Sequence, residues 1–195
     1  MQKYLVQRRV TEQACRLLDN ELRGFGAFKG IICIMNGGMV ASEIMRNHLG
    51  LAPEQIVPLH LKSYTGQNER REVEVVGIPS WMPESGESWL ILDDILGEGK
   101  TLLKALEIYP QAKCATLYSW PSGATLRRPG GGPLLSAVGA RMSEPAWLIF
   151  DWEREDWHQG INDDLPFYQL EPQESLRQLW HHLRHPALQA QLTRG

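Results

Sequence analysis

The stretch Leu90-Ile91-Leu92-Asp93-Asp94-Ile95-Leu96-Gly97-Glu98-Gly99-Lys100-Thr101 decides how this sequence folds. Trp89 and three large aliphatic residues form an unbroken apolar run. Such a run reads as a strand buried on both faces, as in a parallel sheet. It ends on two adjacent carboxylates, which are costly to bury unless they face solvent or a ligand. Alternation along a strand sends their side chains to opposite faces. Gly97 and Gly99 then make a turn that opens a helix through Ile108. Carboxylates accept hydrogen bonds from sugar hydroxyls or reach a Mg²⁺ ion through water. Backbone N–H groups at a helix N-terminus favour an anion.

Working outward, Ile31-Ile32-Cys33-Ile34-Met35 is a second buried strand that stops at Asn36-Gly37-Gly38. A helix follows, with Val40, Ile44 and His48 on one face beside Ala41, Met45 and Leu49. An earlier helix starts at Thr11 as its N-cap, carries Ala14, Leu17, Leu18 and Leu22 at helical spacing, and ends at Gly24 and Gly26. Val57, Leu59 and Leu61 alternate as a strand. Lys62 to Arg71 is polar and reads as a loop, and Val73, Val75 and Gly77 as the return arm of a long hairpin. Ala115 to Tyr118 is a fourth strand and Trp147 to Phe150 a fifth. Pro129 to Pro133 reads as a flexible excursion. Leu176, Leu179, Trp180 and Leu183 share the apolar face of a last helix.

Strands alternating with helices give an α/β fold, a doubly wound parallel sheet flanked by helices. Its ligands bind beyond the carboxyl ends of the strands. The 195 residues suit a single domain, with a core over about 29–153 and a C-terminal cap over 154–195. A net charge of −3 argues against a general nucleic-acid binder. Hydrophobic residues make up 43% and charged residues 22%, as in ordinary globular chains. No segment approaches the roughly 20 apolar residues that cross a bilayer. Cys15, Cys33 and Cys114 form no close pair and read as reduced, which fits a cytoplasmic protein.

Four apolar residues, two acids and a glycine-containing loop ending in threonine resemble the signature of the type I phosphoribosyltransferases, which bind phosphoribosyl pyrophosphate (PRPP). Other segments agree, in order from Ile31 to about Glu153. Asn36-Gly37-Gly38 resembles the pyrophosphate loop, and Ser63-Tyr64 the mobile loop that closes over PRPP. Ala115 to Pro121 resembles the strand carrying the base-recognition lysine, and Trp147 to Glu153 the segment closing over the purine. The resemblance is to the hypoxanthine and xanthine-guanine (6-oxopurine) branch, and it implies a fold with a small hood built from the chain ends. It also implies transfer of the phosphoribosyl group from PRPP to a nucleobase with Mg²⁺. Asp93 and Asp94 would hold the ribose hydroxyls and the metal, with Glu153 reaching a second ion. Gly97, Glu98, Gly99, Lys100 and Thr101 would cradle the 5′-phosphate. Asn36, Gly37 and Gly38 would take pyrophosphate, while Ser63 and Tyr64, with Lys62 beside them, shield the site. Trp120, Trp147, Leu148 and Trp152 would shape the base pocket. Relatives commonly form homodimers or homotetramers, so a homo-oligomer is implied; the small-molecule substrates leave no role for nucleic acid or membrane.

Four positions depart from that pattern. Gly97 stands in place of an aspartate that handles a purine ring proton. Glu98 stands in place of a threonine that binds the 5′-phosphate, and a carboxylate there repels phosphate unless turned away or offset by Lys100. Asn36 replaces a cation of the pyrophosphate loop. Trp120 replaces the lysine that reads the 6-oxo group. The departures motivate an alternative, a catalytically degenerate sensor or regulator that binds PRPP or a nucleotide. A hydrolase acting on a phosphoribosyl compound ranks last, because no residue stands out as a water activator. His181, His182 and His185 read as a hydrated helix face, and Arg127 and Arg128 as solvated loop charges.

Overall fold

A computed structural model describes residues 3–66, 69–77, 85–143 and 145–153. The cap expected over 154–195, with its helix and histidines, lies outside the described residues. The elements run strand β1 (Lys3–Val6), helix α1 (Arg8–Leu22), β2 (Gly30–Met35), α2 (Gly38–Leu49), β3 (Ile56–Gly66) and β4 (Glu69–Gly77). They continue with β5 (Trp89–Leu96), α3 (Lys100–Ile108), β6 (Lys113–Ser119), β7 (Ala137–Arg141) and β8 (Trp147–Phe150).

The main sheet has the order β4-β3-β2-β5-β6-β7. Its five strands from β3 to β7 are parallel, and β4 closes one edge antiparallel. The chain leaves β2 toward β3 on one side, and winds from β5 through β6 to β7 on the other. The neighbours β2 and β5 therefore flank the point where the winding reverses, where a crevice opens beyond the carboxyl ends. Asn36-Gly37 ends β2 there, and Asp93-Asp94 sits near the end of β5.

Both faces of the sheet are covered, as the apolar runs require. Ile31, Leu90, Leu92, Ala115 and Leu117 share one core with Leu18 and Leu22 of α1 and Met45 of α2. Ile32, Ile34, Ile91, Cys114 and Val138 share the other with Leu102, Ala105 and Leu106 of α3. Leu90, Ile91 and Leu92 are fully buried, and each such side chain contributes about 1.5–3 kcal/mol of transfer free energy. All three cysteines are free and buried.

Several expectations are corrected. The fifth parallel strand of the main sheet is β7, whereas β8 pairs with β1 in a separate two-stranded parallel sheet. Strand β7 reads Ala-Val-Gly-Ala-Arg, a sequence with little intrinsic strand preference. The space dictates Gly139, since a Cβ there would lie 2.6 Å from the Ala14 carbonyl oxygen and 2.7 Å from that of Leu117. Thr11 is no N-cap: α1 starts a turn earlier after Gln7, and Thr11 is fully buried within it. Val10, also buried, extends the apolar stripe backward. The polar stretch from Lys62 is strand, not loop, because β3 runs to Gly66 and β4 starts at Glu69. Cross-strand pairing satisfies that backbone without an apolar sequence. The excursion at Pro129 to Pro133 is a closed turn: Arg127 bridges Pro133, and Gly130, Gly131 and Gly132 all take positive φ. Arg128 pins it by donating to the carbonyls of Pro110 at 2.9 Å and Ala112 at 3.0 Å.

Candidate active site

The acid pair forms the floor of the crevice. Asp94 is buried and Asp93 half-buried. Each accepts a bond from the backbone ahead of it: the Asp94 N–H donates to Asp93 Oδ1 at 3.0 Å, and the Ile95 N–H to Asp94 Oδ1 at 2.7 Å. Near the end of β5 the two carboxyl groups influence each other's protonation, despite the alternation of the strand. Burial, then the charge of Asp94, pushes Asp93 well above the usual carboxylate range. Burial, with the charge of Glu153 adding to it, raises Asp94 to about 6; hydrogen bonds from Asp93 and the backbone partly oppose this. The described residues give neither acid a salt-bridge partner, so ionising both carboxyls is unfavourable until a cation or a hydrogen-bond donor faces them.

The β2–α2 turn roofs this floor. The Met35–Asn36 peptide is cis, Asn36 is exposed, and its carbonyl accepts the Met39 N–H at 3.2 Å. Gly37 and Gly38 are glycines because of what they touch. A Cβ on Gly37 would collide with the Asp94 carboxylate, and one on Gly38 would lie 2.6 Å from the Leu92 carbonyl oxygen. The loop thus lies directly on β5, bringing the residues of two separate motifs together.

Beyond the pair, the chain turns through Gly97–Gly99 into α3. Gly99 has φ +80°, and a Cβ there would come within 2.6 Å of Leu126 Cδ1. The N-cap of α3 is Gly99, which has no side chain to take the first-turn N–H groups, and such groups favour an anion. Lys100 Nζ lies 2.6 Å from Glu98 Oε2, and both side chains are largely exposed. Glu98 is thereby offset by Lys100, at the cost of engaging the lysine.

The base-side candidates have distinct placements. Trp120 is half-buried, and its indole N–H donates to the Ala146 carbonyl at 3.1 Å. Trp147 is 59% exposed, whereas Leu148 is buried. Trp152 stacks on Phe150 with ring centroids 4.5 Å apart, its indole nitrogen buried without a hydrogen-bond partner among the described residues. Glu153 Oε2 accepts the Phe150 N–H at 2.9 Å, folding the end of the segment back on itself. Ser63 and Tyr64 lie on β3, past its last pairing with β2 at His60, so their backbone projects beyond the carboxyl edge on the hairpin with β4. At about 3.3 Å per residue that is about 10–13 Å past His60. Their side chains, like that of Lys62, lie outside the described part.

Sequence reasoning placed Glu153 at the site but missed the contact between Gly37 and Asp94 and the ties made by Trp120. The adjacent glycines at 37 and 38 were the available signal for the first. Nothing local signals the second, which depends on long-range packing.

The fold has solved counterparts. A purine phosphoribosyltransferase from Pyrococcus horikoshii superposes with a TM-score of 0.60 at 20% identity, covering 88% of this chain and 100% of that one. The xanthine-guanine-hypoxanthine phosphoribosyltransferase of Helicobacter pylori does so with a TM-score of 0.59 at 19% identity, covering 80% and 97%. Fold and crevice together define a type I phosphoribosyltransferase architecture. No family model matches the chain. A xanthine-guanine phosphoribosyltransferase of Desulfotalea psychrophila is 31% identical over 142 residues, 73% of this chain and 78% of that protein. The chain belongs to the xanthine-guanine phosphoribosyltransferase family.

Proposed function

We propose that the protein transfers the phosphoribosyl group of PRPP to a purine base, releasing pyrophosphate. The observation that carries the reading is the acid pair under Gly37-Gly38, at the reversal point of the sheet, one turn before the N-terminus of α3. Asp93 and Asp94 accept hydrogen bonds from the two ribose hydroxyls. The first turn of α3, with the Thr101 hydroxyl, receives the 5′-phosphate. The main chain of Gly37 and Gly38 lies where pyrophosphate departs. The hairpin carrying Ser63 and Tyr64 extends on the side from which water would enter. Trp147 and Trp152 flank the base.

Magnesium fits the residues present. The raised carboxyls of Asp93 and Asp94 are relieved by a cation, and they are the groups that would hold it, with Glu153 near enough to Asp94 to be felt. Among the described residues no three His, Cys, Asp or Glu side chains are gathered into a ready-made cage. That suits an ion completed by substrate oxygens and water. When bound, it supplies positive charge against the leaving pyrophosphate.

The relatives are named as transferases, which favours turnover over a purely sensory role. The test is direct: incubation with PRPP, Mg²⁺ and xanthine, guanine or hypoxanthine, followed by detection of nucleotide and pyrophosphate. The expected result is a nucleotide that requires all three components, with Asp93→Asn/Asp94→Asn lowering turnover by about 10²–10³ or more. A wild type giving neither nucleotide nor pyrophosphate with any purine would overturn the reading.

A further inference from the structure

Trp120 makes three contacts on three elements. Its backbone N–H donates to the Leu96 carbonyl at 2.9 Å, at the end of β5. The six-membered part of its indole lies against Gly97, with ring carbons 3.5–3.6 Å from where a Cβ would sit. Its indole N–H reaches the Ala146 carbonyl at 3.1 Å, immediately before β8. Ala146 is fully buried, so this carbonyl has little access to water as a replacement partner.

We propose that Trp120 is a positioning residue that couples the phosphate loop to the segment closing over the base, rather than a residue that reads the base. An indole has one donor, and here Ala146 takes it. What remains of the ring is an apolar plate, held against Gly97 on one side and tied on the other to Ala146, the residue before β8. A shift of the loop as it closes on a phosphate moves the plate, and the plate moves Trp147 to Glu153. Gly97 belongs to the same device, because a side chain larger than a methyl group would press on the ring. Two of the departures at this site, Gly97 and Trp120, are therefore one packing unit. The base is selected by shape and stacking, with no side-chain cation at position 120. This inference rests on the transferase reading, and its test keeps the two apart.

The test compares wild type with two replacements of Trp120. Benzothienylalanine keeps the fused ring but puts sulfur where the N–H was, and Trp120→Ala removes ring and donor together. KM is measured separately for PRPP and for the purine, and amide hydrogen exchange is followed over 97–101 and 147–150. Losing the donor alone should raise the KM for the base about ten-fold, leave that for PRPP within about two-fold, and speed exchange only in 147–150. Trp120→Ala should raise both KM values and speed exchange in both segments. Gly97→Val, which presses on the ring from the loop side, should speed exchange in 147–150 when Trp120 is present and not in the Trp120→Ala background. If Trp120→Ala does not fold, the benzothienylalanine protein and Gly97→Val alone decide the matter. A benzothienylalanine protein identical to wild type, or one whose two KM values rise equally, would overturn the proposal. A wild type without turnover would defeat the transferase reading, while the exchange pattern would still decide whether the two segments are coupled.

Discussion

Replacing Asp94 by Asn should stabilise the unliganded protein, although Asp94 is central to the site. The carboxyl is pushed from 3.8 to about 6, first by burial and then by the charge of Glu153. A carboxyl raised in the folded state binds more protons there than in the unfolded chain. Its charge therefore costs nothing below about pH 4, costs progressively more as pH rises to about 6, and costs a constant amount above. At 1.36 kcal/mol per pKa unit the plateau cost is at most about 3 kcal/mol. Asparagine removes that cost and retains an oxygen to accept the Ile95 N–H. It also removes the charge that holds Asp93 up. A gain of about 1–3 kcal/mol at pH 7 corresponds to about 3–10 °C in Tm for a chain of this size. The assay is thermal unfolding of wild type and Asp94→Asn at pH 4, 5, 6 and 7 without ligand. The gain should be near zero at pH 4 and grow to its full value by about pH 6.5. A variant less stable than wild type at pH 7, or a difference independent of pH, would refute the electrostatic argument.

Gly99→Ala should destabilise the protein by about 1–3 kcal/mol, read as a lowered Tm, because alanine resists a φ of +80° and its methyl would meet Leu126. Glu98→Gln frees Lys100 from an exposed pair, and should tighten PRPP binding about two- to five-fold at low salt by calorimetry, an effect that fades as ionic strength rises. Burial raises the thiols of Cys33 to about 11 and of Cys15 and Cys114 to about 12. A disulfide reagent at pH 8 should therefore leave all three unmodified in the folded protein and titrate them in denaturant.

The central strands were legible because a strand buried on both faces must be apolar throughout. Ile31 to Met35 and Leu90 to Leu92 carry that pattern without interruption, and both end where charge or glycine begins. The acid pair and the glycine loop were legible for the complementary reason, since both are anomalous unless something binds there. Strand β7 was hidden because α1 approaches too closely at Gly139 for a side chain, and alanine and glycine, which carry no strand signal, fill three of its five positions. Trp147 to Phe150 was recognised as a strand but placed in the wrong sheet, because pairing with Lys3 to Val6 is a long-range event that local pattern does not encode. The hairpin was half hidden, since edge strands paired on their backbones tolerate polar sequence. At the site, Glu98 was open from sequence alone, because only geometry shows its pairing with Lys100. Trp120 was legible as an aromatic residue in a significant place, but the destination of its N–H was not.

The most direct test of the account is the change in Tm produced by PRPP with Mg²⁺, against Mg²⁺ alone, in wild type and in Asp93→Asn/Asp94→Asn. Ligand at about 100 times its Kd stabilises the native state by about 2.7 kcal/mol, or about 5–10 °C here. The account predicts a shift of that order in wild type and none in the double variant. No shift in wild type at millimolar PRPP, or an equal shift in both proteins, would contradict it.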